Sequence, residues 1–436
     1  MDNLTIGFLG LGAGFILLLC RVQIGVALGL VSFIGIGVLL NMRAAWGMLT
    51  AVPFNFVGDW NLTAIPMFLL MGFVASETGI SSGLFRAMRI LLAWLPGGLA
   101  VASVGACAML SAASGSSVAT SSAFARIATP EMLRYRYDPG LATGVIAAAG
   151  TLGSLIPPSI LMVLYGYLAE VSIAKLFMAG FLPGLLSAAM FIAMIVIRCR
   201  LNPRLAPAVS ETFSRRDLVD ALKEIWALPT IIVGVLTGIF IGLFSPTEAG
   251  AVGAMLAIGL GAMRRSLTWR SLYRSGLATL SSTAGIFMVV IGTALLGKFM
   301  TLSGVPNYIA SSLLSFGSTE LFVIAMVAVL YLILGCFLDS IGIMLLTMPI
   351  ILPVAREAGI EPIYFGIILV KLLEVGLVTP PVGLNVYIVK AALGDRVPLV
   401  SIFRGVSWFI AADLITLILL IAFPIISLYL PSLMTL

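Results

Sequence analysis

The 436-residue chain contains no histidine. This removes histidine metal sites and histidine proton relays from consideration at once. Charge is also scarce, at 10% of residues against 61% hydrophobic. No soluble domain of this size needs so much apolar surface. The four cysteines (Cys20, Cys107, Cys199 and Cys336) lie in or at the ends of apolar segments without motif spacing, so no disulfide framework is expected. No GxxxxGK loop is present, which argues against drive by nucleotide hydrolysis. The apolar segments do not alternate polar and apolar residues, which favours a helical bundle over a membrane β-barrel.

What the chain does have is a recurrence of apolar runs approaching twenty residues, the pattern of an all-α polytopic membrane protein. Spans are expected near 4–20, 22–40, 62–78, 141–168, 176–197, 226–244, 247–262, 276–300, 363–390 and 405–430. Met1–Leu19 lacks a basic leader and a small-residue cleavage site, so it reads as the first membrane helix. Two further apolar stretches, 97–130 and 320–353, are interrupted midway by SAASGSS (Ser111–Ser117) and FLDSIG (Phe337–Gly342). Each half is short for a span, so both stretches read as re-entrant hairpins whose tips stop inside the membrane.

Two spans are themselves broken. LGSLIPPSI (Leu152–Ile160) and VGLVTPPVGLN (Val375–Asn385) both place a glycine ahead of a Pro-Pro pair. Proline removes a helix hydrogen bond and clashes with the preceding turn, while glycine permits the sharp backbone. Gly153 to Gly376, Pro158 to Pro381 and Pro130 to Pro353 are each 223 residues apart, and the same shift sets Ser116 on Asp339. A constant offset across several features indicates an internal repeat. Residues 1–200 form the first repeat, 201–225 a basic cytoplasmic linker, and 226–436 the second repeat. Each repeat holds five spans and one hairpin, and the odd number inverts one relative to the other.

Charge supports the inversion. With the N-terminus outside, 19 of the 24 basic residues fall on the inside, clustered at Arg198–Lys223 and Arg264–Arg274 and including Arg126. Arg43, Lys175, Lys298 and Arg356 fall outside, and Lys371 within a span. Both termini are thereby expected outside. SSGLFRAMRILLAWLPGG (Ser81–Gly98) reads as an amphipathic arm along the interface, with NYIASSLLSFG (Asn307–Gly317) as its mate.

An inverted repeat with two broken helices and two hairpins is how many secondary transporters build a site at the membrane midplane. Freed backbone carbonyls can replace water around a small cation, and hairpin tips present helix N-termini that favour anions. Asp339, at hairpin depth, should face a cavity or a partner. Lys371 and Glu374, three residues apart on one helix, are expected to pair structurally. Asp413 and Glu170 read as span-end or packing residues.

These motifs, together with SPTEAGAVGA (Ser245–Ala254), resemble the large membrane subunit of tripartite ATP-independent periplasmic (TRAP) transporters over essentially the whole chain. The resemblance implies a sodium-driven, elevator-type importer of an organic acid such as a carboxylate or sugar acid. It implies two partners, a small four-helix membrane subunit and a periplasmic substrate-binding protein, and a place in the bacterial inner membrane. By motif match, the first sodium site would use Ser114, Ser116, Gly153, Ile156 and Pro158. The second would use Asp339, Gly376, Thr379 and Pro381. Substrate contacts are expected from Ser117 and Thr120 of the first tip, Ser340 of the second, and Asn385 after the second break. No organic cofactor is expected. A carrier of the same elevator type that works without a binding protein is the nearest rival. A channel would need a filter-like repeat, and a membrane-embedded enzyme would need a catalytic constellation; neither is seen.

Overall fold

The structure, a computed structural model, describes residues 2–207, 214–316, 319–336 and 338–434. Among them every regular element is helical. The first three helices are α1 (Asn3–Leu19), α2 (Ile24–Leu39) and α3 (Met42–Val57). Then come α4 (Ala64–Glu77) and the arm α5 (Ile80–Leu92). The first hairpin is α6 (Gly98–Ser114) and α7 (Ser117–Arg134), followed by the broken pair α8 (Pro139–Leu155) and α9 (Ile160–Ala169) and by α10 (Ile173–Leu201).

The second half begins with α11 (Arg215–Ile225), α12 (Ala227–Phe240), α13 (Pro246–Met263) and α14 (Trp269–Ser303). Its arm is α15 (Val305–Phe316) and its hairpin α16 (Glu320–Gly335) and α17 (Ser340–Glu357). Its broken pair is α18 (Pro362–Gly376) and α19 (Leu384–Leu393), followed by α20 (Leu399–Ala422) and α21 (Ile425–Ser432).

The 223-residue offset reappears in these boundaries. Shifted by it, Ser117–Arg134 falls on Ser340–Glu357, and Pro139 falls on Pro362. The sequence reasons repeat as well. Asp138 caps α8 through Leu141 N and is followed by Pro139; Glu361 caps α18 through Tyr364 N and is followed by Pro362. An acidic cap with proline at the first helical position satisfies orphan N–H groups at a helix start. Ser116 and Asp339, equivalent by the offset, likewise cap α7 and α17.

Several expectations change in detail. Among the described residues, six helices are long and apolar enough to cross a membrane, or seven if α8 and α9, bent by 40°, form one span. The expected spans 4–20, 22–40 and 226–244 are helices of 17, 16 and 14 residues. At 1.5 Å per residue, 16 residues reach only about 24 Å, short of a hydrocarbon core of about 30 Å. Conversely α17, expected as a short half-hairpin, is one of the six. The expected span 276–300 is the core of a 35-residue helix, and 405–430 divides at Phe423–Pro424. Helix α3, with Pro53 inside it, was not expected. Part of the linker is the helix α11, closed by a Ser214–Asp217 capping box and packed on α5; residues 208–213 lie outside the described residues, as do Phe337 of the second tip and Gly317 of the second arm. All four cysteines are unpaired.

Packing sorts the helices into two groups. Helix α14 packs against α2 and α4, and α13 against α4. Helix α8 packs against α6, α7 and, from the other half, α20. Glycine sets the α8–α20 approach: a Cβ on Gly144 would lie 2.7 Å from the Gly405 carbonyl carbon. Small residues at helix crossings are how membrane helices gain contact without a hydrophobic driving force.

Candidate functional site

The first break follows from two missing N–H groups. In a continuous helix the Gly153 and Ser154 carbonyls would accept from residues 157 and 158, both prolines. The Ser159 hydroxyl donates to the Ser154 carbonyl instead, at 2.6 Å, while Ser159 also caps α9. No hydrogen bond from a described residue reaches the Gly153 carbonyl. The hairpin tip sits directly on this break. A Cβ on Gly153 would meet the Ser116 carbonyl carbon and oxygen at 2.7 Å, and one on Gly115 would meet the Pro158 carbonyl oxygen at 2.9 Å. Gly115 itself has φ of +59°, a turn that glycine permits. Ser114, Ser116, Gly153 and Pro158 are therefore brought together, with Ile156 at the end of α8. A carbonyl without a hydrogen-bond donor and a hairpin tip packed backbone to backbone on the break are groups from which a small dehydrated cation could be ligated.

The second break is built differently. The Gly376 carbonyl accepts from Thr379 N at 3.1 Å, and the Leu377 carbonyl from Asn385 N at 3.1 Å. The tip meets it through Gly335, packed on Gly376, and through Cys336, whose Sγ lies 3.1 Å from the Pro380 carbonyl oxygen. The Thr379 hydroxyl donates to the Val375 carbonyl. The Asp339 carboxylate accepts from Gly342 N at 3.1 Å as the cap of α17, and no hydrogen bond links it to Gly376, Thr379 or Pro381. The first break is buried throughout, whereas Pro380 and Pro381 are exposed. Both Pro-Pro bonds are cis.

Between the two tips and the helices α4 and α14 lies a cavity of about 680 Å³. Ser114 and Ser116 line it from the first tip, Asp339 from the second, and Ser282 from α14. Arg126, on α7, also lines it and brings the cavity a full positive charge. The expected substrate residues are placed elsewhere. Ser117 bonds Glu374, Thr120 bonds Ser114 at 3.0 Å, Ser340 is buried, and Asn385 donates to the Ala147 carbonyl at 3.2 Å. None of the four lines the cavity.

Residues 11–426 match the family described as "Tripartite ATP-independent periplasmic transporter, DctM component". The chain belongs to this family. It is 37% identical over 379 residues to the C4-dicarboxylate TRAP transporter large permease protein DctM of Pseudomonas aeruginosa, covering 86% of each chain. It is 32% identical to the sialic acid TRAP transporter large permease protein SiaM of Vibrio cholerae, covering 86% of this chain and 87% of that one. Its fold is that of the crystal structure of the Alcanivorax borkumensis YdaH transporter, with a TM-score of 0.62 at 15% identity over 88% of this chain and 90% of the other. The chain is thus a multi-pass component of a tripartite transporter and a permease, not an enzyme.

The TRAP permease also holds three deeply buried charges, and they pair against expectation. Lys371 does not pair with Glu374. Its amine donates to Asp413 on α20 and, at 3.1 Å, to Ser187 on α10. Asp413, expected as a span-end or packing residue, is fully buried at the far end of this ion pair. Helical spacing made Glu374 the near neighbour in sequence, but tertiary packing brings α20 closer to the amine. Glu374 instead accepts from Ser117 of the first tip. Asp413→Asn should therefore strand a buried ammonium, at a cost of about 3–5 kcal/mol. The thermal unfolding midpoint of the purified permease should fall well below that of wild type. A midpoint equal to wild type would show the pair to be dispensable.

Arg126 is the cavity-lining charge that sequence reasoning missed. Counting it among inside charges obscured its place at mid-helix, nine positions beyond the tip residue Ser117 on α7. That position in a segment read as a hairpin was the signal available.

Proposed function

We propose that this permease imports an organic acid in symport with sodium, by an elevator movement, after delivery by a periplasmic binding protein and together with a small four-helix membrane subunit. The carrying observation is the cavity between α4 and α14 that both hairpin tips and Arg126 of α7 line. A guanidinium and serine hydroxyls lining one cavity are groups that bind a carboxylate. Relatives named for C4-dicarboxylate and for sialic acid point to the same ligand class. The sodium ions would be held by backbone carbonyls and hydroxyls at the first break, with Ser114, Ser116, Gly153, Ile156 and Pro158. At the second they would be held near Gly376, Thr379 and Pro381, with Asp339 as the charged group. Sodium binding would supply cation charge beside the anion and tie its movement to the ion gradient.

The boundary between cavity walls suits sliding. The first tip meets α4 at Gly72, where a Cβ would lie 2.7 Å from Ser114 Cα. In this reading α2, α4, α13 and α14 stay fixed while both hairpins and both broken pairs move. The permease lies in the bacterial inner membrane with both termini periplasmic, in keeping with the basic clusters Arg198–Lys223 and Arg264–Arg274 on the other side.

The test is uptake of candidate organic acids by proteoliposomes carrying both membrane subunits, with and without binding protein. Uptake should require the binding protein. Arg126→Ala should weaken apparent substrate affinity roughly tenfold or more, as expected for a lost hydrogen bond to a charged group. Arg126→Lys should retain part of it. Uptake without binding protein would favour the carrier that works alone, and an unchanged Arg126→Ala variant would remove the arginine from the site.

A further inference from the structure

The 223-residue offset that aligns the two repeats also exposes a mismatch of charge. The second tip carries Asp339 where the first carries Ser116. The first tip and first break, Ser114–Ser116 and Gly153–Pro158, contain only neutral groups. Yet the structure brings one carboxylate to that place. Glu374 lies on α18, in the second repeat, at the position equivalent to Thr151 of the first.

Glu374 is 1% exposed. Among the described residues no basic side chain lies within ion-pair distance of it, because the amine of Lys371, one turn earlier, is taken by Asp413 and Ser187. Its two oxygens lie 3.1 and 3.0 Å from the single hydroxyl of Ser117, and that hydroxyl lies 2.8 Å from the hydroxyl of Ser154. Ser117 directly follows Ser116, and Ser154 directly follows Gly153. Serine hydroxyls alone cannot offset a negative charge at this depth, so the carboxylate form calls for a cation beside it. A cation cradled at the first break would compensate it, and would itself gain the charge that its neutral ligands lack.

We propose that Glu374 is a positioning residue for the cation at the first break, supplying across the repeat boundary, through Ser117 and Ser154, the negative charge that the second tip carries in its own Asp339. Each cation site then has one carboxylate, from unequal sources, and the first site joins the first hairpin to the second broken helix. This rests on the sodium reading proposed above and names a residue that reading does not use.

The test is sodium-dependent thermal stabilisation of the purified permease, which requires no transport. Glu374→Gln keeps the shape and an acceptor for Ser117 while removing the charge. The sodium concentration giving half-maximal stabilisation should rise about tenfold or more, as expected for loss of a nearby charge in a low-dielectric site. Without sodium the variant should melt close to wild type, since glutamine keeps the shape and an acceptor for Ser117; a merely structural glutamate would lower the midpoint equally with and without sodium and leave the sodium response unchanged. Glu374→Asp should keep most of the sodium response. Combined with Asp339→Asn, the effects should add, because the two charges serve different sites. If Glu374→Gln does not fold, Ser117→Ala should raise the sodium midpoint by a smaller factor. A wild-type sodium response that Glu374→Gln and Ser117→Ala leave unchanged overturns this inference alone. No sodium response in wild type overturns the sodium reading and the inference with it.

Discussion

Gly153→Val and Gly376→Val are each expected to abolish uptake in a protein that still folds, while Gly259→Val is tolerated. At Gly153 the added Cβ would meet the Ser116 carbonyl at 2.7 Å and Ser117 N at 2.9 Å, both backbone groups that cannot rotate away. At Gly376 it would meet the Cα of Gly335 at 2.7 Å. At Gly259, on α13, nothing lies within 4 Å. Overpacking of this kind costs about 1–3 kcal/mol, which a folded protein can survive. Function is less forgiving, since each valine pushes a hairpin tip off its break. A displacement of about 1 Å at a positioned site can cost roughly a hundredfold in rate. Size-exclusion profiles should match wild type while uptake falls at least that far. Each single variant should keep part of the sodium-dependent stabilisation, because the other break is intact, and the double variant none. Normal transport by both singles would reduce the paired breaks to kinks.

Asp339→Asn is expected to weaken apparent sodium affinity roughly five- to hundredfold, corresponding to about 1–3 kcal/mol for a lost charged partner. The substitution is informative because asparagine caps helices about as well as aspartate. The hydrogen bond from Gly342 N that starts α17 can persist, so the helix should stay while the charge goes. Asp413→Asn makes the opposite comparison. Its charge belongs to an ion pair away from the cavity, so its main effect should appear in the unfolding midpoint, with a smaller change in sodium dependence than Asp339→Asn gives. Sodium dependence of Asp339→Asn uptake identical to wild type would leave Asp339 with only its cap.

Much of this architecture is legible in the sequence because it is written in backbone chemistry. Pro157–Pro158 and Pro380–Pro381 stop helices wherever they occur, and Ser116 and Asp339 start them, so the breaks and tips could be placed to within a few residues. The offset was visible for the same reason. What was not legible depends on which helices meet. Lys371 chooses Asp413, 42 residues away, over Glu374 on its own helix face, and only the packing of α18 against α20 and α10 decides that. Ser117, expected at the substrate, turns inward to Glu374 because Gly153 lets α7 press against α8. Helix length was also hidden: an apolar run of 19 residues at 226–244 holds a helix of 14, because Gly242 adopts φ of +75° and ends it. Composition measures how far a segment is apolar, whereas the turn chemistry at its ends decides how much of it is helix.

The most direct test of sodium-coupled import is uptake by proteoliposomes holding both membrane subunits, with binding protein outside and the cation gradient varied at fixed substrate. An inward sodium gradient should drive accumulation above equilibrium. An equal potassium gradient, or a proton gradient alone, should give none. Equal accumulation in potassium, or under the proton gradient by itself, would contradict the account.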